Sequence, residues 1–182
     1  MKHIGTKYIE TGRLILRRFE LADAQAMFDN WASDEEVTKY LTWPTHSDAS
    51  VSEQVLEDWV PQYAKDNFYN WAIVLKENGP QPIGNISVVR WAGDGGIPIV
   101  GYCLGQRWWR RGIMTEALGA AIGFLFDQVG VRRIASYHDP NNPHSGDVMR
   151  KCGMKFEGIR KKSDRNNQGV CDASHYSIER GK

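Results

Sequence analysis

The stretch from Val100 to Ala117, VGYCLGQRWWRRGIMTEA, constrains this chain most. An apolar run that reads as a strand enters a basic, aromatic turn, and Gly112 opens a helix that continues through LGAAIGFLFDQV to about Val129. The first four N–H groups of a helix lack partners inside it, and its dipole favours negative charge there, so such a turn is a ready anion site. Glycine lets the backbone approach a ligand closely. Arg107, Arg110 and Arg111 add positive charge, and Thr115 and Glu116 follow in the first turns. The same residues also fit an ordinary helix start, so the rest of the chain has to decide between the two.

The 182 residues fit one domain with a sizeable core, read as 1–182 with a core of about 11–180. With 23 basic and 22 acidic residues, no global field draws the chain to nucleic acid or to a membrane. Cys103, Cys152 and Cys171 make neither a metal pattern nor an even disulfide framework, which reads as reduced thiols in a cytoplasmic protein. The N-terminus lacks a signal-peptide run, and no stretch is long and apolar enough to span a bilayer. No group of His, Cys, Asp and Glu has metal spacing, so no catalytic metal is expected.

Taken in order, residues 13–18 alternate as a strand, about 22–32 carry the apolar stripe of a helix, and 34–37 form a short helix. Ser47 or Asp48 caps a helix over about 49–63. Strands at 70–75 and 83–89 flank a turn-rich segment and should form an antiparallel hairpin. A loose loop at 92–98 leads into a strand at 99–104. After the central helix come a strand at 132–138, a helix from Ser145 to Cys152, and strands at 154–162 and 171–179 around the turn 164–169. Strand, helix, strand with short joints implies a right-handed crossover and a parallel pair. The fold class is α+β (α/β), a mixed sheet with helices on both faces.

In order and spacing the chain resembles the GNAT superfamily of acetyl-CoA-dependent N-acetyltransferases, most closely the branch that acetylates ribosomal-protein N-termini (the Rim type). The resemblance runs from Thr11-Gly-Arg-Leu-Ile-Leu-Arg17 and Asp23 through Ile83-Gly84 and Gly101-Tyr-Cys-Leu104. It is strongest at Trp109-Arg-Arg-Gly-Ile-Met-Thr-Glu-Ala117, and closes with Asn142-Pro-His-Ser145 and Lys151 to Gly158. Trp109 stands where the family's pyrophosphate signature usually has Gln or Arg, and Met114 where it has Gly or Ala. The resemblance implies a mostly antiparallel sheet with a V-shaped parallel splay. Backbone from Arg110 through Arg111, Gly112, Ile113 and Met114 to Thr115 would cradle the pyrophosphate, with Arg107 or Arg110 as the added cation. Tyr102, Cys103 and Leu104 would pair with the pantetheine arm, the Leu104 N–H would polarise the thioester, and Asn142 would reach the pantetheine. Ser145 matches the hydroxyl that protonates the leaving thiolate, and it equally suits an N-cap. A homodimer is a further implication.

Transfer needs a neutral amine, a polarised thioester and a proton for the thiolate. An α-amine, with a pKa of about 7.7–8.0, is already partly neutral near pH 7.5, whereas a lysine amine at about 10.4 demands a stronger base. Asp172 is the first candidate base, beside Glu10, Asp94, His138 and His175; a structural role is the alternative for each. Trp43, Tyr40, Trp59, Trp71 and Trp91 are candidate walls of the acceptor pocket. The acceptor expected is a protein N-terminus. A small amine (an aminoglycoside, polyamine or amino acid), a non-catalytic coenzyme A-binding module and, more distantly, a nucleic-acid module stand as alternatives.

Overall fold

The structure is a computed structural model that describes residues 1–94 and 96–181; Gly95, in the loop expected at 92–98, and Lys182 lie outside the described residues. Among the described residues eight strands form one sheet: β1 (Ile9–Glu10), β2 (Leu14–Arg17), β3 (Asn70–Leu75), β4 (Pro82–Ala92), β5 (Ile97–Leu104), β6 (Arg133–His138), β7 (Lys155–Asn166) and β8 (Gly169–Glu179). Their spatial order is β1-β2-β3-β4-β5-β6-β8-β7, and every neighbouring pair is antiparallel except β5 and β6.

The α-helices of the described residues are distributed over the two faces: α1 (Ala24–Met27), α2 (Glu35–Thr38), α3 (Ala49–Gln62), α4 (Ile113–Phe124) and α5 (Pro143–Lys151). Helix α4 buries Ile113, Met114, Ala117, Leu118, Ala121 and Ile122, the stripe that a 3.6-residue period requires, against Leu14, Leu16, Ile86 and Ile134 of the sheet. The opposite face carries a second core of Phe19, Met27, Trp31 and Leu56 under α1 and α3. All six residues of β3 are buried because both cores cover that strand.

Several elements differ from the expected ones. The helix expected at 22–32 is broken into a 3₁₀ turn (Leu21–Asp23), α1 and a π turn (Phe28–Ala32), and α4 likewise passes into a π turn at Leu125–Val129. Helix α5 begins at Pro143 rather than Ser145, with Asn142 at its N-cap, because proline loses nothing at the first helical position. Asp48, whose carboxylate accepts the Ser50 N–H, caps α3.

The parallel junction creates the site. Strands β5 and β6 pair at Ile99 and Ala135, and Ser136 donates its hydroxyl to the Val100 carbonyl at 2.7 Å. Beyond that point β5 stays with β4, through Tyr102–Ile86, Cys103–Asn85 and Leu104–Gly84, while β6 stays with β8. The strands part, and the edge of β5 faces an open wedge.

Candidate active site

Alternation along β5 fixes which backbone groups face the wedge. The Val100 carbonyl meets Ser136 and the Leu104 carbonyl meets the Trp109 indole N–H at 2.7 Å, whereas Gly105 N–H bonds back to Ile83 on β4. Residues two apart share a direction, so the N–H and C=O groups of Tyr102 and Leu104 turn away from β4 into the wedge. The second wall is the turn Trp109–Gly112 and the first turn of α4. Arg110 and Gly112 both adopt left-handed backbone (φ 62° and 72°), which curls successive N–H groups around one concavity. No side chain caps α4, so its leading N–H groups remain available to a ligand.

Glu116 is withheld from that cap by the turn after β1. Its carboxylate accepts the Thr11 hydroxyl (2.6 Å), the Arg13 backbone N–H (2.9 Å) and Arg13 Nε (2.7 Å). Arg13 in turn donates to the Arg111 carbonyl at 2.9 Å. Burial works against the charged carboxylate, but these donors outweigh it and hold the Glu116 carboxyl below its ordinary range.

The third wall is α5. Asn142 makes no cap bond with its side chain, and Ser145 is the third helical residue rather than the cap. Its hydroxyl donates to the Tyr102 phenol oxygen at 3.1 Å, and that phenol donates to the Ser145 carbonyl at 2.8 Å.

These walls enclose a cavity of about 300 Å³, at the lower end of the range for small-molecule sites. It is lined by Tyr102, Cys103, Leu104, Trp109, Arg110, Gly112, Ile113, Met114, Thr115, Asn142 and Ser145, all of them expected site residues. It is also lined by Trp108, His144, Asp147, Val148 and Lys151 and, from α2 and the loop after it, by Val37, Tyr40 and Leu41, none of them among the expected cofactor or catalytic residues. Residues 144, 147, 148 and 151 lie on one helix face by i, i+3, i+4, i+7 spacing, a signal that a correct helix start makes readable.

Other expected site residues do not line the cavity. Arg107 stacks on the Trp108 ring at 5.2 Å, and Arg111 is engaged through its carbonyl with Arg13. Asp172, the first candidate base, is instead paired with Lys161 Nζ (2.7 Å) and the Lys162 N–H (2.9 Å) on the outer hairpin; those bonds lower its pKa and keep it from the cavity. Glu10 pairs with Lys76, Asp94 sits in a left-handed turn position, and His138 Nε2 and His175 Nε2 are buried without hydrogen-bond partners among the described residues. Of the aromatic walls expected, Tyr40 alone lines the cavity. Trp71 is core and donates to the Lys7 carbonyl, Trp59 packs on Phe19, Trp91 packs on His3 and Tyr69, and Trp43 packs on His46.

Cys103 donates its thiol to Asn85 Oδ1 at 2.9 Å, and burial pushes its pKa up to about 12. A neutral, hydrogen-bonded thiol is a poor nucleophile. Among the described residues no group of three or more His, Cys, Asp and Glu could hold a metal ion, and no helix is long and apolar enough to cross a membrane.

A single parallel splay beside an uncapped helix start in a mixed sheet defines an acyl-CoA-type acyltransferase fold. Residues 13–155 match the acetyltransferase (GNAT) domain family, and the chain belongs to it. It is an acetyl-CoA-dependent N-acetyltransferase. An uncharacterized N-acetyltransferase of Bacillus subtilis (strain 168), YnaD, is 28% identical over 94% of this chain and 96% of its own. The [ribosomal protein uS5]-alanine N-acetyltransferase of Escherichia coli (strain K12) is 29% identical over 84% of this chain and 80% of its own. Among solved structures, a GNAT-family acetyltransferase from Bacillus anthracis superposes with a TM-score of 0.82 over 95% of this chain and 98% of its own, at 24% identity.

Proposed function

We propose that the protein transfers the acetyl group of acetyl-CoA to the α-amine of a protein N-terminus, by direct attack within a ternary complex. The observation that carries this reading is the composition of the cavity's acceptor side. Val37, Tyr40 and Leu41 are apolar or aromatic, and the carboxylate among the lining residues, Asp147, is shared with Arg150 and His144 on α5. A polyamine or aminoglycoside calls for acids facing its several ammonium groups; one neutral amine beside an apolar side chain does not. Ribosomal-protein N-acetyltransferases among the relatives support the same reading.

The chain's own groups divide the work. Backbone N–H groups from Arg110 to Thr115, with Arg110 and Lys151, hold the pyrophosphate. The Tyr102 and Leu104 edge aligns the pantetheine as an added strand, and the Leu104 N–H polarises the thioester carbonyl. Asn142 holds the arm from the other side. The amine nitrogen attacks the carbonyl carbon, the C–S bond breaks, and Ser145 gives its hydroxyl proton to sulfur while taking the proton that nitrogen sheds. A thiol with a pKa near 8.5 and an α-amine near 8 need little acid or base strength, so positioning dominates. That suits a cavity lined by none of the candidate bases. The neutral Cys103 argues against an acyl-enzyme.

The test is coenzyme A release with acetyl-CoA and a panel of hexapeptides beginning with Ala, Ser, Met or Lys, set beside spermidine and kanamycin. Turnover of Ala- or Ser-starting peptides at least tenfold above the small amines is expected. Strong turnover of spermidine or kanamycin with none of the peptides overturns the acceptor assignment.

A further inference from the structure

Tyr102 spans the wedge. Its backbone lies on the β5 edge and its phenol reaches α5, where it donates to the Ser145 carbonyl at 2.8 Å and accepts the Ser145 hydroxyl at 3.1 Å. We propose that Tyr102 is the positioning residue for the leaving-thiolate proton: it holds Ser145 Oγ at the wedge by gripping both the main chain and the side chain of that residue. This inference rests on the role given to Ser145 above.

The phenol has one donor, and the Ser145 carbonyl takes it. The phenol oxygen's lone pair is therefore a resting acceptor for the Ser145 proton. When that O–H swings to the sulfur, the phenol keeps its own bond, so no buried donor is orphaned by the movement. Burial pushes the Tyr102 phenol well above its ordinary pKa, so it stays protonated throughout. Tyr102 therefore aims the proton donor and exchanges no proton itself. A phenylalanine in its place would fill the same space and leave Ser145 free to choose other rotamers. The arrangement also spans the mouth of the wedge: through Tyr102, α5 is tied to the same strand whose backbone aligns the thioester.

Tyr102→Phe, Ser145→Ala and the double variant test this with acetyl-CoA and an Ala-starting hexapeptide, or with spermidine should that be the amine accepted. Tyr102→Phe should lower kcat about tenfold with KM for acetyl-CoA within twofold, and its melting temperature should stay within about 5 °C of the parent's. A residue that only packs would not split kcat from KM in this way. The double variant should be no slower than Ser145→Ala, because residues acting through one another are not additive. Tyr102→Phe at full activity beside a slow Ser145→Ala overturns the Tyr102 assignment and leaves the Ser145 role standing. Multiplying effects in the double variant overturn it as well, as does a Tyr102→Phe protein that melts far lower and no longer binds acetyl-CoA. Full activity of Ser145→Ala removes the Ser145 role and, with it, this inference.

Discussion

Arg13 and Glu116, 103 residues apart in sequence, meet at 2.7 Å and join the turn before β2 to the first turn of α4. Arg13 is half-exposed, so the ion pair alone is worth only about 0.2–1 kcal/mol. Its consequence is geometric: the same guanidinium holds the Arg111 carbonyl and so fixes the turn Trp109–Gly112. Glu116→Gln should weaken acetyl-CoA binding severalfold while leaving the fold intact, measured by calorimetric titration. The pH dependence has a definite sign. A carboxyl whose folded pKa is lowered contributes stability above its ordinary value of about 4.3, and that contribution is lost as pH falls through the folded value. The parent's melting temperature should therefore fall more steeply below about pH 4.5 than that of Glu116→Gln.

Gly112 requires glycine for its backbone angle rather than for space. A Cβ there would lie 3.6 Å from the Arg13 guanidinium, an ordinary contact, but φ is 72°. Left-handed backbone costs a non-glycine residue about 1–2 kcal/mol, and more when it is β-branched. Gly112→Ala should lower the melting temperature by about 2–8 °C, at roughly 2–4 °C per kcal/mol for a chain of this length. Gly112→Val should in addition reduce acetyl-CoA affinity at least tenfold by flattening the nest of N–H groups. A Val variant that binds acetyl-CoA like the parent would remove the turn from the pyrophosphate site.

His46 links the loop after α2 to α3. Its Nδ1 lies 2.7 Å from Ser52 Oγ inside the fold, and its own N–H donates to the Ala32 carbonyl. Burial lowers its pKa, as it does for His138 and His175. The unfolded chain therefore binds protons first. Stability is fully present above about pH 6.5 and falls as pH drops below it. Melting temperature measured from pH 7.5 to 5.0 should decline over this window, and less so in His46→Asn. A flat profile in the parent would mean that these imidazoles are solvated.

The wedge's β5 edge and the Gly112 turn were legible in the sequence because both depend on local pattern: an apolar strand, a glycine at a helix start, a 3.6-residue stripe. The start of α5 was equally local, since Pro143 marks a first helical position, and placing it there brings His144, Asp147, Val148 and Lys151 onto one face. Val37 and Leu41 were not legible. They reach the cavity through the packing of α2, which is a single turn long, and of the loop after it. The tryptophans misled for a related reason: an indole satisfies its N–H by finding any nearby carbonyl, as Trp71 does at Lys7 and Trp91 at Asn67, and composition cannot say which ones face a ligand. Asp172 lies outside the cavity lining because the β7–β8 hairpin brings Lys161 onto it, a pairing between strands that local pattern does not show.

That hairpin also holds the cavity wall formed by Tyr40 and Leu41. Asn167, in the tight turn between β7 and β8, donates its side-chain amide to the carbonyls of Thr38 (2.9 Å) and Trp43 (2.7 Å), and its backbone N–H to that of Leu41 (3.1 Å). The six residues so gripped include Tyr40 and Leu41, which line the cavity. The Thr38 and Thr45 hydroxyls, 2.6 Å apart, close the same loop from within. The segment has no regular structure beyond α2 to hold it, so removing two of the three hydrogen bonds should let it move. Each such bond is worth about 0.5–1.5 kcal/mol, which sets a modest cost in stability. The larger effect should fall on the acceptor: Asn167→Ala should raise KM for the amine about three- to tenfold while KM for acetyl-CoA stays constant, because the two hydrogen bonds it removes hold Thr38 and Trp43 rather than β5 or the Gly112 turn. Steady-state kinetics with each substrate varied in turn separates the two. An equal rise in both constants would place the coupling in the sheet, and unchanged constants would mean that Thr38 and Thr45 hold the loop unaided.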